Sequence, residues 1–190
     1  QVRKSYLYRM ATGFHQVGLN SAWAIRKHDA TAFMMIGPAA VNLALAIELY
    51  LKAIHSLSAS RPPNTHELWR LFKTLPQLTM LSLGQKYKDI LPTKVDQLKA
   101  IHMTLKQGGE QHKAKPIPSS TTVKELLTAH NHSFMNWRYL HEFSSKGYDY
   151  HFDFHAIDVF GEILNSHIAQ LLKLRPPHFS MTNVQTGKAV

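Results

Sequence analysis

The chain of 190 residues contains no cysteine. That removes a disulfide scaffold, a thiolate zinc site and a cysteine nucleophile, and it accords with a reducing compartment. Acidic residues are scarce: 12 Asp and Glu stand against 22 Lys and Arg, a formal charge of +10 with the 13 histidines neutral. No uninterrupted apolar run reaches the roughly 20 residues that a membrane span needs. The most apolar stretch, "FMMIGPAAVNLALAIELYL" (33 to 51), is broken by Gly37-Pro38, Asn42 and Glu48. A buried helix in a cytoplasmic protein without a membrane partner is the expectation. No secretory signal is visible, and a start at Gln1 rather than methionine leaves room for residues before it. There is also no glycine-rich phosphate loop, no Gly-x-Ser-x-Gly and no paired-carboxylate signature, so kinase, dehydrogenase and serine-hydrolase chemistry find no support.

Hydrophobic residues make up 44% and charged residues 18%, enough apolar material for one core. The basic surplus favours polyanions such as RNA, DNA or nucleotides, although a lysine excess also serves solubility alone. "KYKDILPTK" and "HKAKP" are basic patches open to both readings.

Nearly every segment has helical period. Leu7, Met10, Phe14, Val17 and Ser21 share one face of a first helix from about 5 to 27. Pro38 is placed to open a second helix over about 39 to 58, apolar except for a narrow stripe of Glu48, Lys52 and His55. Glu48 and Lys52 form an i,i+4 pair of favourable polarity. After "SASRPPNT", Asn64-x-x-Glu67 reads as a capping box for a helix carrying Leu68, Leu71, Phe72 and Leu75. "QLTMLSLGQKYKDIL" reads as a short helix or turns, and "PTKVDQLKAIHMTLK" as a helix with Val95, Leu98, His102 and Leu105 on one side. Residues 107–122 form a polar flexible loop. A long helix runs from about 122 to 143, "SSKGYDYHFD" is a turn or loop, and a last helix spans about 154 to 174. The fold class is all-α: one domain over 1–175, an antiparallel up-and-down helical bundle, with a tail at 176–190.

"NHSFMNWRYLHEF" (131 to 143) has an unusual polar and aromatic density. With Val123 at zero and 100° per residue, Leu126, Leu127, His130, Phe134, Trp137, Arg138 and His141 fall on one side, and His132 on the other. A buried guanidinium needs an acidic or carbonyl partner, and Glu48 is the first candidate. Two readings follow. One is an Arg–Glu clasp that fixes how two helices meet. The other is an inward cluster of Arg138, His141, Glu48 and Lys52 able to hold a phosphate. "HNH" (130 to 132) is spelled like a nuclease motif, but inside a helix its histidines point apart. "HFDFH" (151 to 155) lacks a third identifiable metal ligand and reads as a loop entering the last helix.

Three blocks in order, "NLALAIELYLKAI" (42 to 54), "THELWRLF" (65 to 72) and "WRYLHE" (137 to 142), resemble the HEPN superfamily over about half the chain. Leu51-Lys52-Ala53, Thr65-His66-Glu67-Leu68 and Arg138-Tyr139 stand where that family's Leu-Lys-Ala, Thr-His-Asp/Asn-Leu and Arg-Tyr elements would. The resemblance implies an antiparallel helical bundle, often a homodimer, associated with RNA or nucleotides. In many members it implies metal-independent RNA cleavage in toxin or defence systems, with a cognate inhibitor protein as a further partner and no cofactor. Catalytic members carry an Arg-x(4–6)-His pair. Arg138 and His141 are closer together than that, whereas Arg9 with His15 and Arg61 with His66 fit the spacing. For RNA cleavage, His141 or His66 would take the proton of a 2′-hydroxyl, and Arg138 or Lys52 would stabilise the charge on phosphorus. Glu48 and Arg61 complete the expected phosphate-binding set. The alternative function is a non-catalytic helical module that binds a partner protein or a nucleotide, with Arg138 purely architectural.

Overall fold

The computed structural model describes residues 2–26, 32–96, 98, 100–105, 120–138 and 148–179. They are predominantly helical, as an all-α class requires. α1 (Val2–Arg26) packs along α2 (Ala32–Leu57). The contact is close because Gly18 has no Cβ: one added there would lie 2.7 Å from Leu43 Cγ. The buried side of α1 is Tyr8, Ala11, His15, Leu19 and Ala22, whereas Val17 is 51% exposed. The inward face is therefore chosen by the small residues that let two helices approach, and the large apolar residues at 7, 10 and 17 are not its centre.

α2 is the hub, packed against α1, α3 (Leu68–Lys73), α6 (Ser133–Arg138) and α7 (Phe154–Leu172). By length and hydropathy alone its stretch Met34–Leu57 would cross a bilayer, and most of it is buried among these neighbours. Pro38 does not open α2 but lies inside it. Proline costs the bond to the carbonyl four residues back. Here that carbonyl belongs to Met34, and both residues are exposed, so water can take the freed acceptor.

The expected capping box at Asn64 is not formed. α3 begins at Leu68, and its N-cap, Glu67, is extended with no side-chain cap. α4 (Gln77–Ile90) and a 3₁₀ turn (Leu91–Thr93) follow. The helix expected over 92 to 106 is not there: Ile101–Leu105 is β1, paired antiparallel with β2 (Tyr148–Phe152) in the register Ile101 with Phe152 and Leu105 with Tyr148. The signal lies in β2, where Tyr148, Tyr150 and Phe152 alternate with Asp149 and His151. A lone two-stranded ribbon is marginal in water, and the burial of Phe152 against Phe154 anchors this one.

The long helix expected over 122 to 143 is interrupted. α5 (Val123–Ala129) opens on a formed capping box, in which Glu125 N donates to Thr122 Oγ1 and Thr122 N donates to Glu125 Oε2. It stops at His130, and α6 starts at Ser133. His130 Nδ1 donates to Leu126 O, and the Asn131 side chain accepts from Trp69 N, so both side chains bond outside a regular ladder. Residues 120–122 of the expected loop are ordered here, with Ser120 buried; 107–119 lie outside the described residues.

α7 starts at an Asp153 N-cap whose Oδ1 accepts from Ala156 N, and ends at Lys173 in the left-handed region. Phe160 of α7 centres the core, edge-on to Phe72 and Tyr87; truncating such a ring to alanine costs about 3–5 kcal/mol. Residues 174–179 fold back along α7, where Pro177 O accepts from Asn165 and the Phe179 ring lies 4.2 Å from that of His15.

Candidate functional site

The polar stripe of α2 has a physical explanation: it receives the excursion at 58–75. His55, fully buried, reaches Ser60 Oγ at 2.9 Å and Leu71 O at 3.0 Å. Two turns earlier, Glu48 is 2% exposed and its carboxylate is held from two sides. Lys52 Nζ donates to Oε1 at 2.6 Å, and His66 Nδ1 lies 3.1 Å from both Oε1 and Oε2. A carboxylate only accepts, so Nδ1 carries the proton. In neutral His66 the lone pair then sits on Nε2, which has no partner among the described residues. The His66 side chain is 59% exposed. A buried carboxylate orienting an exposed imidazole is the arrangement by which a histidine is made ready to take or give a proton.

Phe134 of α6 completes the cluster. Its ring is stacked on His66 at 6.0 Å and 25°, and Arg138 Cζ lies over the same ring at 5.7 Å. Arg138 is exposed, not buried on the core side as the continuous 100° count predicts. Arg138 stands at the edge of the stripe, about 60° from its centre, and the carboxylate of Glu48 is taken by Lys52 and His66. The other positions of that stripe, Val123, Leu126, Leu127, His130 and Trp137, are buried, and His132 is exposed.

The structure thus links four of the six expected site residues: Glu48 holds Lys52 and His66, and the ring of Phe134 touches both His66 and Arg138. Arg61 is exposed on the same excursion and makes no hydrogen bond or ion pair among the described residues. His141 and Tyr139 lie outside the described residues. Phe134 carried a usable signal, since an aromatic and an arginine four apart on a helix share a face.

A second polar network lies between α1, α2 and α7. His15 is 1% exposed, 2.8 Å from Asp158 Oδ1 and 3.4 Å from the Tyr50 hydroxyl, while Tyr8 donates to Asn165 Oδ1. Burial raises the Tyr50 phenol well above its ordinary range, with Tyr8 and Asp158 adding to it, so Tyr50 stays protonated. Arg9, the sequence partner of His15, is exposed.

"HNH" is divided as expected, but at a helix junction and not within a helix. His130 is fully buried between Leu126 O and Asp153 N, and burial lowers its pKa to about 4. Of "HFDFH", Asp153 caps α7 and His155 lies 3.8 Å from Asp96. Among the described residues no group of three histidines or carboxylates converges on a metal position. Compared with known proteins, the chain matches no protein-family model, no curated protein and no solved structure.

Proposed function

We propose that this protein binds RNA and cleaves it by an acid–base mechanism that needs no metal, as an HEPN-like, self-associating, antiparallel helical protein of a toxin, defence or stress system. One observation carries the reading: the exposed ring of His66 is oriented by buried Glu48, which also holds Lys52, and stacks on Phe134, whose ring carries Arg138. Cations beside a poised imidazole match a phosphodiester with an adjacent hydroxyl. The surplus positive charge of the chain favours the same polyanion.

The chemistry balances as follows. His66 Nε2 takes the proton of a 2′-hydroxyl. The 2′-oxygen attacks the neighbouring phosphorus, and the bond from phosphorus to the 5′-oxygen breaks. That oxygen takes a proton from water, to which the site is open, and the hydroxide so formed takes the proton from His66, leaving a 2′,3′-cyclic phosphate, a 5′-hydroxyl and neutral His66. Lys52 and Arg138 offset the negative charge that builds on phosphorus. Glu48 stabilises the imidazolium formed at His66.

The test is labelled single-stranded RNA in EDTA, with wild type beside His66→Ala. Cyclic phosphate ends from wild type alone support the reading; intact RNA overturns the catalytic part. The second reading, a non-catalytic module for a partner protein, draws on α4, where Leu78 and Leu81 are 83% and 56% exposed on one side. Protein with no affinity for RNA at low salt would favour that reading.

A further inference from the structure

His66 belongs to the segment 60–67, which has no regular secondary structure, and such a segment does not hold a ring in place by itself. Two contacts tie it to the junction between α5 and α6. The His66 ring stacks on Phe134, and Trp69 N donates to Asn131 Oδ1 at 2.9 Å. Residues 66 and 69 therefore meet residues 134 and 131, in opposite chain directions. The Asn131 bond also serves the first turn of α3, whose own N-cap, Glu67, supplies no side-chain acceptor. Asn131 lies at the point where the helix expected over 122 to 143 breaks, and its amide oxygen is spent on this distant backbone group, not on its own turn.

We infer that Asn131 is a positioning residue for His66: its bond to Trp69 N sets where the imidazole lies between Glu48 and Phe134. This rests on the reading of His66 as the proton-transferring group. The geometric part stands apart from that reading, because the ring position is observable without any reaction. Without Asn131 the start of α3 loses its acceptor, the 58–67 segment gains freedom, and Nδ1 no longer has both oxygens of Glu48 within reach. A displacement of this kind by about 1 Å lowers turnover by up to about a hundredfold while leaving binding largely intact.

The experiment compares Asn131→Ala, Asn131→Asp and Asn131→Gln. Asp keeps an acceptor at the same position, whereas Gln carries its amide one methylene further out. Two readouts are taken: the His66 ring proton and nitrogen signals by NMR, and kcat and KM for RNA cleavage. The expected result in Ala is loss of the Phe134 ring-current shift and of the Nδ1–H tautomer at His66, with kcat reduced and KM changed less than about threefold. Asp restores both readouts. Should Ala fail to fold, Gln against Asp makes the same comparison. Unchanged His66 signals in Ala or Gln overturn the inference, and so does an Asp variant as perturbed as Ala. If wild type leaves RNA intact, the proposed function falls, and the NMR arm alone decides whether Asn131 places the ring.

Discussion

The imidazole of His66 lies with Nδ1 3.1 Å from each oxygen of the Glu48 carboxylate, the one acid buried on the otherwise apolar α2. Glu48→Gln keeps the side-chain volume but removes the charge that holds Nδ1–H and offsets an imidazolium. RNA cleavage should fall about tenfold to a hundredfold with helix content unchanged by circular dichroism. Activity equal to wild type would show that His66 works without Glu48.

Lys52 is the cation on that carboxylate and is itself only partly exposed. Lys52→Met leaves a buried charge with His66 as its remaining partner, and should destabilise the protein by about 3 kcal/mol in urea unfolding. The double variant Glu48→Gln, Lys52→Met should recover part of that loss, because the orphaned charge is gone. Strict additivity of the two single changes would show that the pair is not coupled.

His130 gives the fold a defined acid sensitivity. Its Nε2 accepts from Asp153 N, and burial holds its pKa at about 4. The folded pKa is below that of the unfolded chain, so the unfolded state binds the extra proton. The contribution is complete above about pH 6.5 and is lost as pH falls toward 4, amounting to about 3 kcal/mol. His130→Gln should flatten the stability profile over that range, as measured by unfolding at a series of pH values.

Two glycines make opposite predictions. A Cβ at Gly161 would lie 2.6 Å from Cε1 of His15, which is fixed between Asp158 and Tyr50. Gly161→Ala should destabilise by about 1–3 kcal/mol through overpacking. Gly13 is on the exposed side of α1 with nothing within 4 Å, and Gly13→Ala should stabilise by about 0.5–1 kcal/mol. Thermal melts of the two variants check both signs.

The helices were legible where periodicity was long: α1 and α7 lie close to their expected bounds, and α2 ends where expected but begins seven residues earlier, at Ala32. Three features escaped for identifiable reasons. The ribbon of β1 and β2 joins segments far apart in sequence, and its alternation is clear only in β2. At the break at 130–132 Asn131 bonds Trp69, a tertiary contact that no local propensity contains. Arg138 escaped because it stands at the edge of its stripe, where a 100° count does not decide between core and solvent. The site was legible as a set of residues and as one local pair, Glu48 with Lys52, but not in its contacts between distant segments. Glu48, Lys52, His66 and Arg138 could each be singled out, but a stripe on one helix does not say which segment will cover it.

The central claim is that the imidazole of His66, held by Glu48 beside Lys52 and Arg138, transfers a proton during RNA cleavage. The most direct measurement is the end chemistry and rate of cleavage of a defined single-stranded RNA in EDTA, for wild type and a folded His66→Ala variant. The account predicts 2′,3′-cyclic phosphate ends from wild type and a rate at least about a hundredfold lower from the variant. Equal rates from the two proteins, or RNA left intact by wild type, would contradict it.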